Sequence, residues 1–312
     1  MHPPDFGPSL ETIDAGQAGQ RIDNFLFTRL KRVPKSHVYR LLRKGEVRVN
    51  KKRIKPDYRL QANDIVRLPP VKLLPERPRI IDHRMVERLE QCILYENEHM
   101  LVLNKPSGIA VHAGSGVDIG VIEALRASHA REGFLELAHR IDRETSGCLL
   151  IAKERATLLE LHRLLREEGM TKRYLALVVG RWEGGERIVD APLEKFELES
   201  GERMVKVRET GQEARTIFKP LQQFENFTLV QAEPQTGRTH QIRVHALHIG
   251  HPIAGDDKYG DREINKSMRA EGLNRLFLHA AYLAFPLPNS SKQFEFKAEL
   301  DEKLQAVLER LV

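Results

Sequence analysis

The sequence predicts an α+β protein whose main body is built on a mainly antiparallel mixed sheet, preceded by a small, strongly basic unit of helices and short strands. Three observations lead there. The chain has 312 residues, enough for about two domains with real cores. Between Arg21 and Pro70 stand 15 Lys and Arg against 4 Asp and Glu, a net +11; since the whole chain carries +6, the remainder is −5. Hydrophobic spacing is helical over about 22–42, alternates in short runs before the prolines at 69 and 70, and is strand-like from Cys92 onward.

Composition narrows the class. With 41% hydrophobic and 30% charged residues the chain is globular in character, and no run reaches the ~18 apolar residues of a membrane span. The first residues lack an apolar core of the secretory type, so 1–18 is expected to be a disordered lead-in. Cys92 and Cys148 stand far apart in apolar stretches, as reduced core thiols of a cytoplasmic protein would.

In the basic unit, 19–70, Ile22, Phe25, Leu26 and Leu30 recur at helical spacing and predict a helix over about 20–31. Pro34 and Ser36 open a second helix with Val38, Leu41 and Leu42 inward and Gly45 at its end. Val47–Asn50 and Ile65–Leu68 read as short strands around a turn at Lys51, Lys52 and Arg53. A basic module beside a slightly acidic body suggests that one part grips a polyanion. This order, with RLLRKGEVRVNKKRIKP at its centre, resembles the S4 RNA-binding domain. The resemblance implies docking on structured RNA through shape and backbone contacts. Lys35, Arg40, Arg43, Lys44, Arg48, Lys51, Lys52 and Arg53 are the expected contacts.

Residues 71–91 are expected to form a linker, punctuated with its flank by Pro69, Pro70, Pro75 and Pro78. The body, 92–312, then offers strands at 93–95, 100–103, 147–153, 174–179, 216–219 and 227–232. Helices are expected at 155–168, with Gly169 as C-cap, and at 301–311, with long loops between.

Three segments put charge where a core-building sequence would not. In His139-Arg140-Ile141-Asp142-Arg143-Glu144-Thr145-Ser146-Gly147 a carboxylate stands at the mouth of an apolar strand between two arginines. It either stays charged beside them or caps its own turn at Thr145 or Ser146. Tyr174 opens another strand, as a cleft residue or as a core-edge tyrosine with its hydroxyl on backbone. In Thr236–His245, Thr239 is placed to cap a helix running to Ile249, on which His240 and Arg243 share a face. Taken singly, each has such a plain structural explanation.

Taken together, HRIDRETSG, KRYLAL and TGRTHQIR, with ILYENEHMLVLNKPSGIAVH before them and RLFLHA after, closely resemble the RluA family of pseudouridine synthases. The resemblance implies a pseudouridine synthase catalytic domain with 23S ribosomal RNA as substrate and no cofactor, metal or nucleotide. It makes Asp142 the reacting carboxylate, by attack at C1′ or C6 or by taking a ribose proton. Arg243 becomes its salt-bridge partner, and Tyr174 a platform for the base and a candidate for proton transfer at C5. Arg140 would fill the gap left by a flipped nucleotide, Leu278 would pack on the base, and His139, Arg238 and His240 would complete substrate binding. Nothing demands more than a monomer.

Other classes are weaker. His245 and His248 are one helical turn apart, but no Cys or carboxylate completes a zinc spacing. Asp256 and Asp257 could partner Asp142 as in a glycosidase, yet adjacent aspartates after a helix usually make a turn. No G-x-S-x-G, G-x-G-x-x-G or Walker loop is present. The remaining alternatives are a non-catalytic S4-type assembly factor on ribosomal RNA, which would not need Asp142, Tyr174 and Arg243, and the same chemistry on another RNA such as transfer RNA.

Overall fold

In the computed structural model, residues 5–6, 9–14, 16–30, 33–72, 82–114, 119–129, 133–199, 201–286 and 293–312 are described. Two units divide the chain, Met1–Arg79 and Ile80–Val312.

The first unit contains β1 (Asp5–Phe6), β2 (Ser9–Thr12), α1 (Ile22–Arg29), α2 (Lys35–Lys44), β3 (Arg48–Val49), β4 (Ile65–Leu68) and β5 (Val71–Lys72). Ile22, Phe25 and Leu26 of α1 and Val38, Leu41 and Leu42 of α2 bury against Val47, Val49, Val66 and Leu68. The first helix is shorter than its spacing predicts because Arg21 is held extended, pairing with Arg59 across a bridge and with Asp23 through its side chain. Gly45 ends α2 as expected, in the left-handed conformation at φ 70°. Within 1–18, expected to be a disordered lead, the described residues depart from that reading. There β1 pairs with β5, and β2 pairs with β4 from Ser9↔Leu68 to Thr12↔Ile65. A four-residue Ser-Leu-Glu-Thr strand is too short and polar to show a pattern; the edge of β4 supplies its hydrogen bonds.

The second unit begins with α3 (His83–Glu90), β6 (Ile93–Glu96), β7 (Met100–Lys105), α4 (Val121–Ser128), β8 (Glu136–Leu137) and β9 (Ser146–Ala152). It continues through α5 (Arg155–Arg166), β10 (Thr171–Val179), β11 (Arg187–Asp190), β12 (Leu193–Glu197), β13 (Arg203–Val207) and β14 (Arg215–Gln223). Then come β15 (Phe227–Pro234), α6 (Gln241–His248), α7 (Arg262–Ala270), β16 (Leu278–Pro286), β17 (Gln293–Lys297) and α8 (Glu302–Arg310). The sheet order is β11-β14-β15-β10-β16-β9-β7-β6, with β17 beside β16 and β8 beside β9. Every pairing is antiparallel except β9 with β16, which run parallel through Ser146↔His279 and Gly147↔Ala280. The expected mainly antiparallel mixed sheet is therefore present.

Both faces of the sheet are covered, which explains the unbroken apolar runs. Val102 and Leu150 pack toward Leu161 and Leu164 of α5, while Leu101, Leu103, Leu149 and Ile151 pack toward Leu89 of α3 and Leu125 of α4. Leu89 is fully buried, so α3 belongs to this core although its sequence reads as linker. Pro75 and Pro78 lie outside the described residues. The expected long loops are largely filled by β11 to β13, α7, β16 and β17. The four residues of β11 leave Ile188 exposed at the sheet edge, too short an alternation to read. At the end of α5 it is Glu168, not Gly169, that turns left-handed, at φ 56°.

The parallel junction is tight. Gly147 has φ 105°, and a Cβ there would lie on the Ala280 carbonyl and within 2.6 Å of its nitrogen. Gly147→Ala should combine overpacking with backbone strain and lose roughly 2–6 kcal/mol of stability. Urea unfolding checks this; an Ala variant as stable as the parent would mean that the two strands part without cost.

Candidate active site

The chain enters β9 through a turn from His139 to Thr145, and this turn hangs at the parallel junction. Ile141 is its buried anchor, packed in the same core as Leu103 and Leu125. The turn is closed by backbone: Thr145 N–H donates to the Asp142 carbonyl at 3.2 Å, so the carboxylate is not consumed as a cap. The loop after β7 grips the far side. Lys105 Nζ donates to the carbonyls of Pro106, Ile109 and Arg143 at 2.8, 2.9 and 3.0 Å. Gly108 N–H donates to the Arg143 carbonyl, and Ser107 Oγ to that of Glu144. Lys105 is wholly enclosed, and burial, with Arg275 nearby, pulls its pKa down to about 7. Its role as a tie between loop and turn is not legible in the sequence.

Arg243 arrives from α6. Thr239, expected to cap this helix, is exposed and does not; the helix starts at Gln241 after His240 takes a left-handed conformation at φ 53°. Gln241 does the bracing instead. Its Oε1 accepts from Arg238 N and Thr236 Oγ1, and its Nε2 donates to Arg215 O and Thr216 Oγ1. Arg243 is buried and donates through Nη1 to Asp142 Oδ2 at 3.2 Å. Its Nε and Nη2 meet the two oxygens of Asp256 at 2.7 Å each. Burial alone disfavours the guanidinium charge, but Asp256 and then Asp142 outweigh it and raise the pKa above its ordinary value.

Asp256 is the residue that sequence reasoning undervalues. The turn reading is right as far as it goes, since Asp256 Oδ1 accepts from Lys258 N and Tyr259 N. Its neighbour Asp257 is 81% exposed, whereas the Asp256 carboxylate is fully enclosed against Arg243. Nothing in Ala-Gly-Asp-Asp-Lys-Tyr-Gly tells one aspartate from the other. Tyr259 escapes sequence reasoning too: its ring lies under the Arg243 guanidinium at 5.0 Å and its hydroxyl meets His240 Nδ1 at 2.8 Å.

These parts border a cleft of about 830 Å³ whose lining brings together His139, Arg140, Asp142, Tyr174, Arg238, His240, Arg243 and Leu278. Tyr174 sits at a β-bulge between Arg173 and Tyr174, which re-aims its side chain. Burial and then Asp142 raise its phenol pKa. Leu278 is buried beside it, opposite Ala176 in register. The Arg140 side chain is exposed and makes no hydrogen bond or ion pair among the described residues. His139 accepts Leu150 N–H on Nε2, and burial, with Lys172, lowers its pKa to about 4, so it lines the wall as a neutral ring. Arg238 Nε donates to the Glu213 carbonyl at the rim. His245 and His251 have structural partners instead, Thr216 with Ala191 and Val179 respectively. Among the described residues, no group of three or more His, Cys, Asp or Glu could hold a metal.

In the first unit, α2 turns Val38, Leu41 and Leu42 inward and leaves Lys35, Arg40, Arg43 and Lys44 in solvent. Asp64 is buried and accepts from Asn50 Nδ2, Tyr58 Oη and Gln61 N. That bracing holds the left-handed pair Asn50 and Lys51, which lifts Lys51, Lys52 and Arg53 outward. Arg48 is only half-exposed and spends its Nε on the Gly45 carbonyl.

Residues 99–248 match the family model described as RNA pseudouridylate synthase, and 20–66 match that of the S4 domain. The chain is 55% identical over 302 residues to ribosomal large subunit pseudouridine synthase C of Haemophilus ducreyi, covering 96% of this chain and 94% of that one. The Escherichia coli protein of the same name is 54% identical over 303 residues, covering 96% and 95%. Among solved structures, human RNA pseudouridylate synthase domain containing 4 is similar with a TM-score of 0.59 at 25% identity, covering 73% of this chain and 95% of that one. Human RNA pseudouridylate synthase domain containing 1 gives 0.57 at 26%, covering 73% and 86%.

Proposed function

The chain belongs to the RNA pseudouridylate synthase family, and from that premise we propose that it isomerises specific uridines of 23S ribosomal RNA to pseudouridine, with Asp142 as the reacting carboxylate. The observation that carries the assignment of Asp142 is its pairing with the buried Arg243 beside Tyr174, in one cleft built from three distant segments.

The reaction breaks N1–C1′, turns the base, joins C5 to C1′, releases the C5 proton and returns a proton to N1. It balances without a cofactor. The flipped uridine enters between Tyr174 and Leu278, at a cost of a few kcal/mol that is smaller in a loop than in a helix. Arg140, with no partner among the described residues, occupies the space the nucleotide leaves. Arg243 holds Asp142 in place while the carboxylate attacks C1′ or C6 or takes a ribose proton. The raised pKa keeps the Tyr174 phenol protonated, which favours its role as platform and leaves Asp142 the better acceptor for the C5 proton. Asp142, Tyr174 and Arg243 line the cleft together within one chain, and action as a monomer is part of the proposal. Both cysteines are free thiols, in keeping with work in the cytoplasm; no described helix is long and apolar enough to cross a membrane.

The test is tritium release from 23S RNA labelled at uridine C5, since that hydrogen must leave. Release by the protein is the expected result. Binding without release would favour the assembly-factor reading, and release only from transfer RNA would move the chemistry to another substrate.

Affinity is assigned to the first unit. Replacing Arg40, Arg43, Lys44 and Lys52 by Gln should weaken RNA binding and flatten its log–log salt dependence by about 0.7–0.9 for each phosphate no longer neutralised. The maximal rate at saturating RNA should hold. An unchanged salt slope would remove the RNA-gripping role from this face.

A further inference from the structure

His240 occupies a conformation that non-glycine residues rarely adopt, at the start of α6 and beside the reacting carboxylate. Its ring has two neighbours of consequence. Nδ1 lies 2.8 Å from Tyr259 Oη, and Nε2 lies 4.0 Å from Asp142 Oδ2. The Tyr259 hydroxyl already accepts the backbone N–H of Val205 at 2.9 Å, and Tyr259 is buried. A hydroxyl has one proton to give, and among the described residues the acceptor within reach is His240 Nδ1. With Nδ1 as the acceptor of that proton, the neutral ring carries its own on Nε2, 4.0 Å from Asp142 Oδ2. The ring is kept neutral by burial, with Arg243 and Lys258 adding to it against the pull of Asp142.

Oδ2 is also the oxygen that Arg243 Nη1 holds. His240 Nε2 thus lies nearest the oxygen that Arg243 already holds, and no described donor is within hydrogen-bond distance of the other.

We propose that His240, locked by Tyr259 as the Nε2–H tautomer, is a positioning residue that joins Arg243 in pinning Oδ2 of Asp142, so that Oδ1 is the oxygen presented to the uridine. The proposal requires this 4.0 Å separation to shorten to hydrogen-bond distance in the complex with RNA. The inference rests on the uridine-isomerising reading above and deepens it.

Two substitutions separate the donor from the backbone. Asn is the side chain better suited to a left-handed residue, and its amide nitrogen falls near Nδ1; Gln suits the backbone less, but its nitrogen reaches the place of Nε2. In the full chain, His240→Asn should lower kcat by roughly 10- to 30-fold and His240→Gln by no more than about 3-fold, both with KM for RNA nearly unchanged. Tyr259→Phe keeps the ring under Arg243 and removes only the hydroxyl; kcat should fall about 3- to 10-fold at constant KM. Asn equal to or better than Gln would overturn the donor role and leave a purely conformational one. A rise in KM at constant kcat would make His240 an RNA contact instead. Unchanged kcat in Tyr259→Phe would overturn the lock.

Nitrogen-15 shifts of the His240 ring decide the tautomer without any turnover. Wild type should show Nε2 protonated, and Tyr259→Phe a mixture; a ring protonated on Nδ1 in wild type overturns the proposal. Absence of tritium release from wild type, with the Nε2–H tautomer present, would instead fault the reading of the reaction.

Discussion

Asp142→Asn should abolish tritium release, with a loss of at least about 10⁴-fold in kcat, the scale seen when the residue that bonds to or deprotonates substrate is removed. The amide is the same size and can still accept from Arg243 Nη1, so the cleft should survive. Asp142 is 28% exposed, and Arg243 keeps its two-point pairing with Asp256, so thermal stability should change by less than about 1 kcal/mol. RNA binding should also persist, because the turn is closed by the Asp142 carbonyl rather than its carboxylate. Single-turnover release assays and a melting curve on the same preparation check both halves. Release at the wild-type rate would take Asp142 out of the mechanism; lost release together with a collapsed melting point would make it structural.

Asp256→Ala should be the most damaging change away from the substrate. Its carboxylate and the Arg243 guanidinium are enclosed together, and removing one leaves the other charged, buried and missing two hydrogen bonds. Breaking such a pair from one side costs about 3–5 kcal/mol. Activity should fall as well, since the freed guanidinium can swing and pull Asp142 with it. Asp256→Asn keeps the shape and one acceptor; it should recover much of the stability but lose kcat by about 10²-fold through a misaligned Arg243. Chemical unfolding and release kinetics report the two effects separately. Full activity in Asp256→Asn would mean that Arg243 needs no second carboxylate to be held.

The contrast between Asp142 and Asp256 shows how far the site is legible. Asp142 can be read because its neighbours are incongruous: arginines and a threonine-serine-glycine stretch before four apolar residues. Asp256 stands in a sequence that any polar turn could have, and only the approach of α6 gives it a charged partner. Likewise Tyr174 is visible at the start of a long apolar strand, whereas Tyr259 and Lys105 take their meaning from groups distant in sequence, such as His240, 19 residues from Tyr259, and the Arg143 carbonyl, 38 from Lys105. The start of α6 misleads for a related reason. Thr239 is the right residue type in the right place, but Gln241 offers a carbonyl and an amide that reach four partners at once.

By itself the sequence determined the parts of this protein: a basic helical module, a mainly antiparallel mixed sheet, and the segments that carry carboxylate, phenol and guanidinium. Those follow from local chemistry, namely charge density, apolar spacing and the residues that start or stop helices. Tertiary structure decided which segments meet. It placed β9 parallel to β16 through a glycine that no other residue can replace without strain, filled the expected loops with further strands and a helix, and set Asp256 and Tyr259 behind Arg243 and His240. The reason is physical: hydrophobic burial is readable from one segment's own pattern, but a buried hydrogen bond or ion pair is a property of two, and its partner is chosen only when the chain has packed.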